Sequence, residues 1–144
     1  MKIEKTKYKE LAESVDIASI DLCELLVKDI KKDMAIQSQS IEIEHKSKMT
    51  KYKLENEKLK VFIETSIQGL SEEIKEENKR VFYLEFTYCI EYNVEDSFRF
   101  EDIYYELFAM KNAPVNLWPY MRELIHSLSI RMGIPEIIIP PYVS

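Results

Sequence analysis

Apolar side chains hold every even position from Phe82 to Val94: Phe82, Leu84, Phe86, Tyr88, Ile90, Tyr92 and Val94. The odd positions mix Val81, Tyr83 and Cys89 with Glu85, Thr87, Glu91 and Asn93. A period of two puts alternate residues on opposite faces of extended chain, so a β-strand is predicted over 79–94. Weaker versions of the same pattern lie upstream. Leu59, Val61, Ile63, Thr65 and Ile67 share one face opposite Lys60, Glu64, Ser66 and Gln68, with Phe62 the exception. Ile41-Glu42-Ile43-Glu44-His45-Lys46 alternates before a charged continuation to Leu54, and Glu55-Asn56-Glu57 supplies a turn between these two strands. The stretch 17–30 is apolar at both parities. Ile20, Leu22, Leu26 and Ile30 face Cys23, Leu25 and Val27, which predicts a strand buried on both sides; period alone leaves a helix open there.

Polar connections link the last three strands, and none is long enough for a crossover helix, so an antiparallel meander is expected. The first strand then joins one edge through the longer connection 31–40, and 69–78 reads as a polar hairpin loop. After Asp96-Ser97, a candidate cap, the period changes: Phe100, Ile103, Tyr104, Leu107 and Phe108 recur at helical spacing. That predicts a first helix ending near Asn112-Ala113-Pro114. A second begins at Leu117-Trp118-Pro119, repeats Met121, Leu124, Ile125, Leu128 and Met132 on one face, and stops at Gly133-Ile134-Pro135. The apolar, proline-bearing stretch 134–143 is expected to run extended. Leu11 and Val15, with Tyr8 nearby, mark a short amphipathic N-terminal helix, expected to be mainly solvated. The expected class is therefore α+β: a short N-terminal helix in a 1–16 extension, then a 17–144 domain with a four-stranded antiparallel sheet followed by two C-terminal helices.

Composition narrows the chemistry. At 144 residues the chain suits one domain with a real core, and a net charge of −6 opposes the grip on phosphates that nucleic-acid binding needs. With glycine only at positions 69 and 133, glycine-rich phosphate loops are excluded. Cys23 and Cys89 stand far apart without metal-ligand spacing, and they read as reduced, mostly buried thiols of a cytoplasmic protein. His45 and His126 lack partners at catalytic spacing, and the paired glutamates near 72–77 sit in a charged loop, so no catalytic constellation, metal site or cofactor is predicted. No run reaches the roughly 20 apolar residues of a membrane span, and the charged N-terminus lacks a signal-peptide core.

Leu117-Trp118-Pro119-Tyr120-Met121-Arg122-Glu123 resembles the Leu-Phe-Pro-Tyr-Ala-Arg-Glu block of the SecB family of protein-export chaperones. At a similar spacing, Arg131-Met132-Gly133-Ile134-Pro135 is similar to that family's Arg-Gly-Thr-Phe-Pro. Lys28-Asp29-Ile30 and Phe82-Tyr83-Leu84-Glu85-Phe86 resemble its strand motifs more loosely. The resemblance implies a cytoplasmic homotetramer, a dimer of dimers, that holds unfolded polypeptides and hands them to the SecA translocase without catalysis or cofactor. By position it implies Phe82 and Ile134 in the client groove, and Asp29, Asp33, Tyr83 and Glu85 on an acidic translocase-docking surface. Leu84, Phe86 and Tyr88 would lie where subunits meet. Lys31 and Lys32 stand between the two aspartates of that docking set, a departure from an acidic patch. Two other readings stay open: a chaperone dedicated to one partner such as an antitoxin, and a non-enzymatic adaptor.

Overall fold

A computed structural model describes residues 3–73, 79–96, 99–135 and 137. The element order is α1 (Lys5–Ser14), β1 (Asp16–Lys28), α2 (Lys32–Gln37), β2 (Ile41–Glu55), β3 (Lys58–Ser71), β4 (Arg80–Asn93) and α3 (Asp102–Met132). The strands form one antiparallel sheet in the order β1-β4-β3-β2. Three consecutive strands thus pair as hairpin neighbours, while β1 lies beside β4 at the far edge, a Greek-key arrangement. The long connection anticipated between the first two strands is present, and it carries α2. The expected loop over 69–78 is shorter at its start, because β3 continues through Ser71; residues 74–78 fall outside the described ones, as does most of the expected extended tail.

Two expectations for the main helices and strands are corrected. The two C-terminal helices are a single helix, α3, with Pro114 and Pro119 inside it. Each proline removes one hydrogen bond to the carbonyl four residues earlier, at Met110 and Val115. Both residues are exposed, so the freed carbonyls fall on the wet side of the helix. The buried stripe Tyr105, Ala109, Ala113, Leu117, Met121 and Ile125 runs past both prolines unbroken, and that burial outweighs the break. The helix also starts at Asp102, so Asp96 does not cap it; its carbonyl instead accepts bonds from the Arg99 amide and the Tyr105 hydroxyl. Ser97 falls outside the described residues. The second correction concerns β1, which is exposed along most of its length rather than buried on both faces. It is an edge strand with β4 as its neighbour, and among the described residues its side chains stay largely uncovered on both faces.

The chain divides into two compact units, and all four strands and α3 give residues to both. In the first (1–23, 48–64 and 87–117), Leu11 of α1 is fully buried and the Tyr8 hydroxyl donates to Asn112 Oδ1. The N-terminal helix is thereby held by side chains and not merely solvated. Tyr92 and Phe108 meet edge to face with centroids 4.9 Å apart. Asn116 donates to the Tyr92 hydroxyl at 2.8 Å. Burial pushes that hydroxyl's pKa up to about 12 even though the Asn116 bond pulls it down. The predicted turn carries positive φ at Asn56 (50°) and Glu57 (61°), as a two-residue hairpin with right-handed strand twist requires. Cys23 is exposed and Cys89 half-buried, so only the second fits the expected buried thiol.

The second unit (24–47, 65–86 and 118–144) has a core of Ile67, Val81, Phe82, Leu84, Phe86, Met121, Ile125 and Leu128. Its buried polar side chains are paired: Thr65 shares a 2.7 Å bond with Ser47 and donates to Met121 Sδ at 3.6 Å, and Ser129 donates to the His126 carbonyl. After β1, the Lys31 amide donates to the Val81 carbonyl at 2.8 Å, and the two hydroxyls Ser38 and Ser71 meet at 2.7 Å. The chain entering β2 is fixed by Glu73, which accepts the Gln39 and Ser40 amides at 2.7 and 3.1 Å.

Candidate functional site

The second unit holds an apolar recess of about 220 Å³ lined by Ile41, Ile43, Phe82, Ile134, Pro135 and Ile137, with Ser38 and Gln39 at its polar end. Two glycines shape it. A Cβ on Gly69 would collide with the Phe82 ring, so the glycine leaves that ring room against β3. Gly133 has φ +69°, the left-handed conformation that a β-carbon disfavours. Its amide donates to the Ile130 carbonyl at 3.1 Å, and the Ile134 amide donates to Ser129 at 3.3 Å. That pair of bonds is a Schellman motif, which ends α3 and turns Ile134 toward the recess. The structure therefore brings Phe82 and Ile134 to one place. Sequence reasoning missed the opposite wall, although the alternation of Ile41 and Ile43 marked one face of β2 as apolar. Ile43 is exposed, and β2 is an edge strand, so among the described residues one side of its main chain has no strand neighbour beside the apolar wall.

The residues assigned by resemblance to translocase docking also fall in this unit. Asp29 has φ +57° and pairs with Arg80 Nη1 at 3.1 Å. Tyr83 donates to Glu85 Oε2 at 3.0 Å. The Tyr83 ring carries two cations: Arg80 Cζ lies 4.7 Å and Lys28 Nζ 5.0 Å from its centroid. Asp33 sits exposed in the first turn of α2. The three neighbours Asp29, Tyr83 and Glu85 are thus interleaved with positive charge that the sequence reading did not place. Arg80 opens β4, directly ahead of its alternation, and that position was the available signal.

The three candidates for a subunit interface lie inward. Leu84 and Phe86 are sealed within their own chain, and Tyr88 keeps a small exposed fraction. Among the described residues no group of three His, Cys, Asp or Glu side chains is placed to hold a metal, and no helix is long and apolar enough to cross a membrane. His45 stands edge-on to Trp118 at 5.3 Å with Nε2 3.1 Å from Ser47 Oγ, and partial burial lowers its pKa from 6.5.

No protein-family profile and no curated protein sequence matches this chain. Among solved structures, it is similar to the SecB-like chaperone Rv1957 of Mycobacterium tuberculosis, solved in complex with a ChAD peptide from the antitoxin HigA1 (Rv1956). The TM-score is 0.79 at 14% identity, covering 97% of this chain and 99% of the other. A Streptococcus agalactiae protein of unknown function aligns at TM-score 0.40 and 8% identity over 88% of this chain and 96% of its own, a distance that carries no argument.

Proposed function

We propose, for a chain with the SecB-like fold, that it is a non-enzymatic cytoplasmic chaperone whose apolar recess holds extended segments of unfolded polypeptide. The observation that carries this reading is the recess itself, which joins Phe82, Ile134 and the exposed Ile43 to an edge strand. An unfolded chain offers apolar side chains and unpaired backbone groups together, and such a site meets both. The reading predicts that the protein suppresses aggregation of a chemically denatured client on dilution. Ile43→Lys, an exposed change that leaves the core intact, should remove most of that protection. Wild-type protein giving no protection at stoichiometric amounts would overturn the proposal.

A dedicated role is the second reading, and it is favoured by the neighbour solved with an antitoxin peptide. Selective protection of one co-encoded partner, with indifference to general clients, would support it. Delivery to SecA through Asp29, Asp33, Tyr83 and Glu85 is a narrower proposal still, and it must contend with Arg80 and Lys28 beside those carboxylates. Unchanged SecA binding after charge reversal at Asp29 and Glu85 would count against it.

A further inference from the structure

On the second unit, two adjoining polar recesses of about 660 and 200 Å³ share Arg80, Gln68 and Glu44 in their lining and together mark a polar groove. Its charged walls are Lys31, Lys46, Lys79 and Arg80 against Asp29 and Glu44, an excess of two cations in a chain whose net charge is −6. Adding the neighbours at Tyr83, Lys28 and Glu85, leaves the excess unchanged. Both wall carboxylates are already engaged, Asp29 with Arg80 and Glu44 with the Gln68 amide. Arg80 is fixed in place. Its Nε donates to Gln68 Oε1 at 2.9 Å, Nη1 donates to Asp29, and the guanidinium lies over the Tyr83 ring. A guanidinium held this way loses little freedom when it binds a further carboxylate, and it carries more N–H donors than these two bonds use.

We infer that this groove is a docking site for an acidic polypeptide segment, so that the sheet face expected to present carboxylates to the translocase instead receives them. Carboxylates spaced along an extended segment match lysines placed around a fixed arginine. Longer polyanions fit less well, since the negative field of the whole molecule repels a nucleic-acid strand or an anionic membrane at a distance, whereas a short segment meets the local charge. The groove is separate in its lining from the apolar recess, so this inference stands or falls independently of the chaperone reading.

Fluorescence anisotropy on the full chain tests it, using a labelled decapeptide alternating Glu and Ser, its Lys-for-Glu counterpart, and a longer, more highly charged oligouridylate. The acidic peptide should bind, the basic one should not, and binding should weaken as salt screens the charges. Arg80→Gln should cost about tenfold in affinity, as expected for losing a charge-assisted bond. Lys46→Glu, at an exposed lysine making no ion pair among the described residues, should weaken binding without disturbing Arg80's contacts. Thermal melting verifies that both variants are folded. Absence of acidic-peptide binding at low salt, equal binding of the basic peptide, or tighter binding of the oligouridylate would each overturn the inference. Aggregation protection, measured on the same samples, reports on the chaperone proposal alone.

Discussion

Gly69 shows how one missing side chain sets a site. The Phe82 ring occupies the space where a β-carbon would stand, so Gly69→Ala must push the ring away or bend β3. Overpacking of this kind typically costs about 1–3 kcal/mol. The variant should unfold at lower urea and protect clients less well, while adding Phe82→Leu should recover part of the stability; an unchanged urea midpoint for Gly69→Ala alone would show that the ring does not lie there. His45 makes a prediction of opposite character. Its folded pKa is lowered by partial burial, so the unfolded chain takes up the proton more readily. Stability from this group is fully present above the unfolded value of about 6.5 and declines as pH falls from there through the folded pKa. Urea midpoints measured from neutral pH into the acid range should therefore drop less steeply in His45→Gln than in the wild type, and parallel curves would remove His45 from the account.

At the scale of elements, what was legible depended on whether burial alone decides the conformation. The alternation in β4 and the turn at Asn56-Glu57 were readable because one face is buried and the local φ preference agrees with the strand pairing. The stop at Gly133 was readable from local φ preference alone, since the left-handed residue that ends α3 favours glycine. The unity of α3 was not, because Pro114 and Pro119 argue locally for a break and only the continuous buried stripe argues against it. Arg80 and Gln68 were invisible as partners for another reason: their contacts join strands, and charge in a sequence carries no information about which strand lies next. The prolines remain costly in place, since a proline inside a helix is worth up to about 3 kcal/mol against alanine. Pro119→Ala restores a donor to the Val115 carbonyl and, at an exposed position, removes little packing. It should raise the urea midpoint and the helical ellipticity together; a fall in stability would mean that the ring has a packing role.

For the molecule as a whole, the unresolved matter is apolar surface. Ile17, Leu22, Leu25, Leu26 and Ile30 are each 41–49% exposed, all of them in or just beyond an edge strand. An edge with open backbone groups and apolar side chains on both faces invites pairing, and stable proteins either blunt such edges or cover them. β1 has no proline and its one lysine, Lys28, stands at its end, so between its ends Asp21 and Glu24 are the charges that blunt it. Covering by further copies of the chain is the proposed solution for the apolar positions around them, in keeping with a tetramer, and it assigns the contact to β1 in place of the inward-facing Leu84, Phe86 and Tyr88. Sedimentation should give a mass several times that of one chain, and Leu22→Asp with Leu25→Asp should reduce it, since each aspartate would place an unpaired carboxylate in an apolar contact. Both side chains are substantially exposed in the single chain, so the folded core should survive and circular dichroism should stay the same. Wild-type protein that sediments as a monomer at micromolar concentration would leave this edge bare, and the tetramer would have to be given up.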